Sequence, residues 1–264
     1  MSTLRKALPG FPLSGFDYRA LVLPVFFVAF WALAHGVGWV DTRLIPSPLG
    51  VVKTAWGSIF AEDFLPGLWG SLYRDVSGFV IGGLFGVATG VALGLSRWLD
   101  AAFNPALNAL KQISLFAWLP LITSWFGYDD GAKILFIAAS TFYPVAVNTF
   151  EGVRGVTRQH LEVARVFRFS RTQLIFRLLL PAAAPRILTG LQMGLVFAWL
   201  ATIGSEFLLA NWGNGLGNII IHGREALDVG LVIWGLIIVG IVGSLLNRLA
   251  RRAESRLLGW RGTA

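Results

Sequence analysis

Few side chains in this sequence have a type and spacing suited to chemistry. The 264 residues include three histidines, His35, His160 and His222, and no cysteine. The histidines fall on different stretches, with no His-x-x-x-His spacing and no paired carboxylates, so neither a zinc site nor a general acid–base pair is expected. Without cysteine, disulfides, thiolate metal sites and a thiol nucleophile are excluded. No Gly-x-x-x-x-Gly-Lys-Ser/Thr phosphate loop occurs, and Gly131-Ala132-Lys133 is not one, so ATP must bind elsewhere. No catalytic residue, metal ligand or cofactor is assigned to this chain. The informative residues are polar ones set in apolar surroundings, Lys111, Asn148, Gln192, Ser205 and Glu206, which are candidates for a translocation path or gate. Each also has a simpler reading. Lys111 can snorkel toward the membrane interface. Asn148, Gln192 and Ser205 can bond neighbouring helices. Glu206 lies 21 residues after Pro185, about 32 Å along a helix. That puts it at an outer rim, as a solvated or capped carboxylate or as part of an outer gate.

The elements that must position these residues are membrane spans. Hydrophobic residues make up 55% of the chain and charged ones 14%, and mean hydropathy is +0.68. That balance excludes disorder and an ordinary soluble enzyme. Apolar stretches at 20–39, 71–95, 106–126, 133–150, 185–209 and 229–249 predict about six transmembrane helices in one membrane domain, 20–249. They are flanked by an N-terminal segment, 1–19, and a basic tail, 250–264. In the second stretch glycines recur at 78, 82, 86, 90 and 94. That makes a side-chain-free stripe for close helix packing, within the chain or against another subunit. A piece from Leu49 to Phe60 reads as a short amphipathic segment on the outer surface. Trp39, Trp98, Trp125 and Trp260 suit an aromatic belt.

Charge placement sets direction. With the N-terminus inside, Arg5, Lys6, Arg19, Arg97 and the arginines from Arg154 to Arg186 and from Arg248 to Arg261 are cytoplasmic. Arg43, Lys53, Arg74, Lys133 and Arg224 fall outside, together with Asp41, Glu62, Asp63, Asp75, Asp129, Asp130, Glu225 and Asp228. Both termini are therefore expected in the cytoplasm. The net charge of +8 follows from this asymmetry without nucleic acid. Arg5, Lys6, the apolar run and Ala32-Leu33-Ala34 resemble a signal peptide, and this stretch is read as an uncleaved signal-anchor.

Residues 151–184 form a long cytoplasmic connection. Thr157 is a plausible helix N-cap, Arg168-Phe169-Ser170 breaks the pattern, and Arg171 to Leu180 reads as a second helix stopped by Pro181 and Pro185 before the fifth span. Such an elbow has an apolar side that wants a partner, in the helix-in-groove manner.

At this elbow the sequence resembles a known family. Glu162-Val163-Ala164, Arg165 to Phe167, Arg168 and then Leu178-Leu179-Leu180-Pro181 are similar to the EAA loop of ABC importer permeases. The family pattern is Glu-Ala-Ala, three residues, Gly, and later Ile/Val-x-Leu-Pro. Two departures stand out: Val163 replaces an alanine, and Arg168 occupies the usual glycine position. LIPSPLGVV at 44–52, LPLITSWFGYDDGAKILFI at 119–137, FYPVAVNTFEGVR at 142–154, EFLLANWGNGLGNIIIHGRE at 206–225 and the LARRAESRLLGWRG tail are similar to the nitrate, sulfonate and taurine branch.

The resemblance implies an all-α membrane protein with the type I importer permease fold. It implies a second permease copy (a homodimer), two ATP-binding cassette subunits holding ATP and Mg, and a periplasmic or lipid-anchored solute-binding protein in the bacterial inner membrane. It assigns ATPase coupling to Glu162, Val163, Ala164, Arg165, Arg168, Ser170 and Pro181. The expected solute is an organic sulfonate, taurine or a similar small anion. The alternative is an ion-gradient-driven secondary transporter, which would need inverted repeats and mid-membrane carboxylates.

Overall fold

The structure, a computed structural model, describes residues 19–41, 45–110, 112–209 and 214–257, and every regular element among them is helical. In chain order these are α1 (Arg19–Gly36), α2 (Pro48–Ile59), α3 (Phe64–Leu95), α4 (Arg97–Leu110), a 3-10 turn (Leu115–Trp118), α5 (Leu119–Phe126) and α6 (Asp130–Arg154). Then follow α7 (Arg158–Val166), α8 (Arg171–Gln173), a π-helical stretch (Leu174–Leu179), α9 (Leu180–Leu208), α10 (Leu216–Glu225) and α11 (Val229–Leu257).

α6 lies between α3 and α9, and glycine sets both contacts. A Cβ added at Gly78 would sit 2.6 Å from Ile137 Cβ, at Gly86 2.8 Å from Val145 Cβ, and at Gly90 2.6 Å from Thr149 Cβ. Gly94 meets Val153, and Gly82 meets the Ala138 carbonyl. The whole glycine stripe therefore packs within the chain, against α6. From the other side, Gly190 of α9 abuts Asn148 and Gly194 abuts Thr141 and Val145. Ile137, Thr141, Val145 and Thr149 of α6 are sealed as a result. Trp199 Nε1 donates to the Val239 carbonyl at 3.2 Å, which pins α11 to α9.

The periphery is looser. Ser47 caps α2 by accepting from the Gly50 N–H at 3.0 Å, and Pro48 stands in the first turn, where its missing N–H costs nothing. Leu49, Val52, Trp56 and Phe60 leave an exposed apolar row along α2. α1 touches little beyond α2 and exposes most of its apolar side chains. Trp39, Trp98 and Trp125 are exposed, as a belt requires; Trp260 lies outside the described residues.

Two expected elements differ. The stretch 106–126 is not one helix: α4 ends at Leu110, and a 3-10 turn and the short α5 follow. Four helices, Phe64–Leu95, Asp130–Arg154, Arg171–Leu208 and Val229–Arg256, are long and apolar enough to cross a membrane, while Leu21–Gly36 and Leu115–Phe126 are shorter apolar helices. Nor do Pro181 and Pro185 stop a helix. The chain runs from Arg171 to Leu208 without a break, because the missing Pro181 N–H and the clash of its ring with the preceding turn fall at the widened π-helical stretch.

The close packing predicts a sharp substitution pattern. Gly86→Val forces a branched side chain against Val145 and should cost about 1–3 kcal/mol or more. Gly57→Ala, in open space, should be neutral. Thermal unfolding of the detergent-purified chain, followed by size exclusion, checks both.

Candidate functional site

The elbow is built as its residue types dictate. Thr157 takes the extended N-cap conformation before α7 but does not bond the helix end; its hydroxyl pairs with His160 Nδ1 at 2.7 Å. Ser170 caps the next helix: its Oγ accepts from the Gln173 N–H at 3.3 Å, and Gln173 Oε1 accepts from the Ser170 N–H at 2.9 Å. This is a reciprocal capping box. Between the two helices Arg168 has φ +49°, left-handed backbone that favours glycine. A glycine, as in the motif this segment resembles, would adopt this turn freely; arginine adopts it under strain.

Ala164 is buried and its carbonyl accepts from the Phe169 N–H at 3.0 Å, closing the bend. Glu162, Val163 and Arg165 are exposed, and Glu162 has no bonding partner among the described residues. Val166 is 80% exposed and Phe167 70%. The elbow therefore presents apolar side chains and an unengaged carboxylate. Arg186 reaches Glu151 at 3.2 Å and Arg154 reaches Asp100 at 2.6 Å, fastening the starts and ends of the long helices beside it.

At the far end of the same helices lies a buried charge cluster. Glu206 is fully buried and Arg74 is 3% exposed. Arg74 Nη2 donates to Glu206 Oε1 at 2.7 Å and Nε to the same oxygen at 3.2 Å. Its Nη1 reaches Asp130 at 2.8 Å, and Nη2 also reaches the Asn214 carbonyl at 2.7 Å. The Ser71 hydroxyl meets both Glu206 oxygens, at 2.8 and 2.9 Å, and accepts from the Leu216 N–H at 2.9 Å. Glu206 Oε2 also accepts from the Gly217 N–H at 2.9 Å. A carboxylate is thus placed on the first turn of α10, where exposed N–H groups and the helix dipole favour it. Lys133 and Asp75 are buried in the same region. Asp75 Oδ1 accepts from Thr202 at 3.1 Å, and Oδ2 meets no donor among the described residues.

Glu206 is therefore a capped, buried carboxylate and not a solvated one. Arg74, Asp75 and Lys133, which charge counting places in outer segments, are buried partners of this region. Their signal was their position: Arg74 and Asp75 open the apolar stretch 71–95, and Lys133 opens 133–150.

The remaining candidates scatter. Ser205 is buried and donates to the Thr202 carbonyl of its own helix at 2.9 Å. Gln192 donates to Glu254 of α11. Lys111 lies outside the described residues. Of the described candidates only Asn148 faces a cavity, an open trough of about 900 Å³ whose walls include Trp118, Ser140, Tyr143, Met193 and Phe197. No charged residue is among its described lining residues. Ser140 spends its proton on the Phe197 carbonyl at 3.0 Å, and Asn148 donates to the Pro144 carbonyl at 2.8 Å. No group of three or more His, Cys, Asp or Glu that could hold a metal occurs among the described residues.

This arrangement, a close-packed helical core with an apolar elbow at one end and a trough along one side, is that of a transport permease. A family profile described as "Binding-protein-dependent transport system inner membrane component" matches residues 82–259. The chain belongs to that family, in the nitrate, sulfonate and taurine branch of ABC importer permeases. It is 36% identical over 245 residues to SsuC of Bacillus subtilis (strain 168), named for aliphatic sulfonates transport, covering 93% of this chain and 88% of the relative. It is 31% identical to the nitrate import permease protein NrtB of Synechocystis sp., covering 89% and 87%. Its fold matches a chain of the inward-facing MetNI methionine ABC transporter with TM-score 0.57 and 17% identity, over 71% of this chain and 94% of that one.

The strained turn gives a direct expectation. Arg168→Gly should melt no lower than the parent, whereas Arg168→Val, a β-branched residue at positive φ, should lower stability by about 1–2 kcal/mol. Thermal unfolding of the purified chain separates the two.

Proposed function

We propose that this chain is the membrane-spanning half of an ATP-driven importer and forms one wall of its solute path. The observation that carries the reading is the elbow. Val166 and Phe167 stand exposed on a rigidly capped bend that joins two close-packed long helices. An ATP-binding subunit receives this surface in a groove, with Glu162, Arg165 and Arg168 pairing with it at the rim. Closure of two such subunits tilts the spans as rigid bodies, and hydrolysis resets them. Ala164, being buried, shapes the bend and does not touch the partner. Ser170 fixes the second half of the elbow, and Pro181 marks where the π-helical stretch passes into the span. The elbow and both termini face the cytoplasm, and the Arg74–Glu206 end faces a periplasmic solute-binding protein.

A second copy of the chain closes the trough at Trp118, Tyr143, Asn148 and Phe197 into a central path. Solute selection rests with the binding protein, and an organic sulfonate or taurine is the favoured cargo, as the names of the relatives suggest.

The test uses the chain assembled with its ATP-binding subunit and binding protein in proteoliposomes, with radiolabelled taurine and ethanesulfonate as probes. Glu162→Lys and Phe167→Ala should assemble normally and keep ATP hydrolysis within about twofold, while uptake falls about tenfold or more. Normal uptake in both variants contradicts the coupling role. Uptake that persists without ATP and follows an ion gradient would favour a secondary transporter.

A further inference from the structure

The charge cluster at the end away from the elbow lines no part of the trough, so its expense must be explained otherwise. A buried ion pair is weak evidence for stability, since burying both charges costs about what their attraction returns. What distinguishes this pair is where its remaining bonds go. Arg74 of α3 holds the Asn214 carbonyl, Ser71 of α3 holds the Leu216 N–H, and Glu206 of α9 holds the Gly217 N–H. Three of four consecutive residues leading into α10 are thus bound by the core. The fourth, Gly215, packs directly on the Glu206 carboxylate, and a Cβ at Gly217 would lie 2.7 Å from Glu206 Cβ. Asp130 at the start of α6 adds the third core helix through Arg74.

We infer that the Arg74–Glu206 pair is a tether that carries motion of the α3–α6–α9 core into α10, making Arg74 and Glu206 positioning residues for the face opposite the elbow. The inference rests on the proposed function for the origin of the motion, though not for the tether itself. Because α3, α6 and α9 meet at glycine contacts, a tilt begun at the elbow reaches Glu206 without loss to side-chain repacking. Because the pair is dry, salt does not screen it. α10 therefore travels with the core when the elbow is pushed, and the outer mouth opens between bodies that include α10.

The absence of native cysteine makes spin labelling clean. Labels go at Gly131→Cys, where an added Cβ meets nothing within 4 Å, and at exposed Glu225→Cys. The labelled chain, diluted with unlabelled chain, is assembled with the ATP-binding subunit in nanodiscs. Pulsed electron spin resonance should give one narrow distance that is the same with and without ATP–vanadate. In Arg74→Met with Glu206→Met, which strands neither charge, the distribution should broaden about twofold or more, and hydrogen exchange at 214–225 should rise about tenfold or more with 130–154 still protected. If that double variant does not assemble, Ser71→Ala, which leaves the ion pair whole, should still raise exchange at Leu216. An unchanged narrow distance in the double variant overturns the tether, as does unchanged exchange in Ser71→Ala. A parent distance that shifts with ATP–vanadate overturns the claim that α10 is carried. Failure of the parent to capture an ATP-binding subunit contradicts the proposed function instead, and the nucleotide-free distances still judge the tether.

Discussion

Close approach of α6 to both of its neighbours is the constraint on which the rest of the molecule depends. Gly78 to Gly94 on one side and Gly190 and Gly194 on the other leave no room for a side chain between the helices. In a bilayer, where apolar burial between helices gains little, such contact supplies the dispersion energy that holds them together. It also removes the soft side-chain layer through which one helix could shift against another. The three helices form a stiff unit, and α1, α2 and α11 attach around it through fewer contacts.

The two ends of that unit have opposite physics. At the elbow, charge is sparse in partners and apolar side chains are uncovered: Val163, Val166 and Phe167 are exposed, and the bend holds its shape by backbone closure and a capping box. At the other end, Arg74, Glu206 and Ser71 are sealed, and their bonds run from α3 and α9 to the residues that begin α10. One end leaves apolar side chains uncovered; the other holds its own chain together. Under the proposed function this pairing makes a lever, with the elbow as its free handle and the stiff core as the bar.

Much of this was legible in residue spacing. The four-residue glycine period implied close packing, and the helix-break-helix pattern at 157–180 implied an elbow. Periodicity reports which face of a helix is bare, but not what lies against it, so the choice between α6 and another subunit needed coordinates. The Arg168 departure became meaningful only with its φ of +49°. Proline misled, because the stop signal at Pro181 is met by a π-helical stretch that local composition does not announce, and Pro185 sits inside α9 without ending it. The charge cluster was overlooked for a related reason. Arg74, Asp75 and Lys133 sit at span ends, where charge counting assigns them to water, yet all three are buried, and the partners of Arg74 and Asp75, Glu206 and Thr202, lie 132 and 127 residues away in sequence. Single polar residues such as Ser205 and Gln192 turn out to make local or neighbouring-helix bonds, which spacing alone does not reveal.

The central claim is that the elbow is the surface an ATP-binding subunit grips, and crosslinking from that surface tests it most directly. A photo-activatable amino acid in place of Val166, which is 80% exposed, can be irradiated in native membranes and its adducts identified by mass spectrometry. The account predicts one dominant adduct, to a subunit carrying the phosphate-binding loop that this chain lacks. Adducts only to lipid or to further copies of the chain, with the complex otherwise intact, would contradict it.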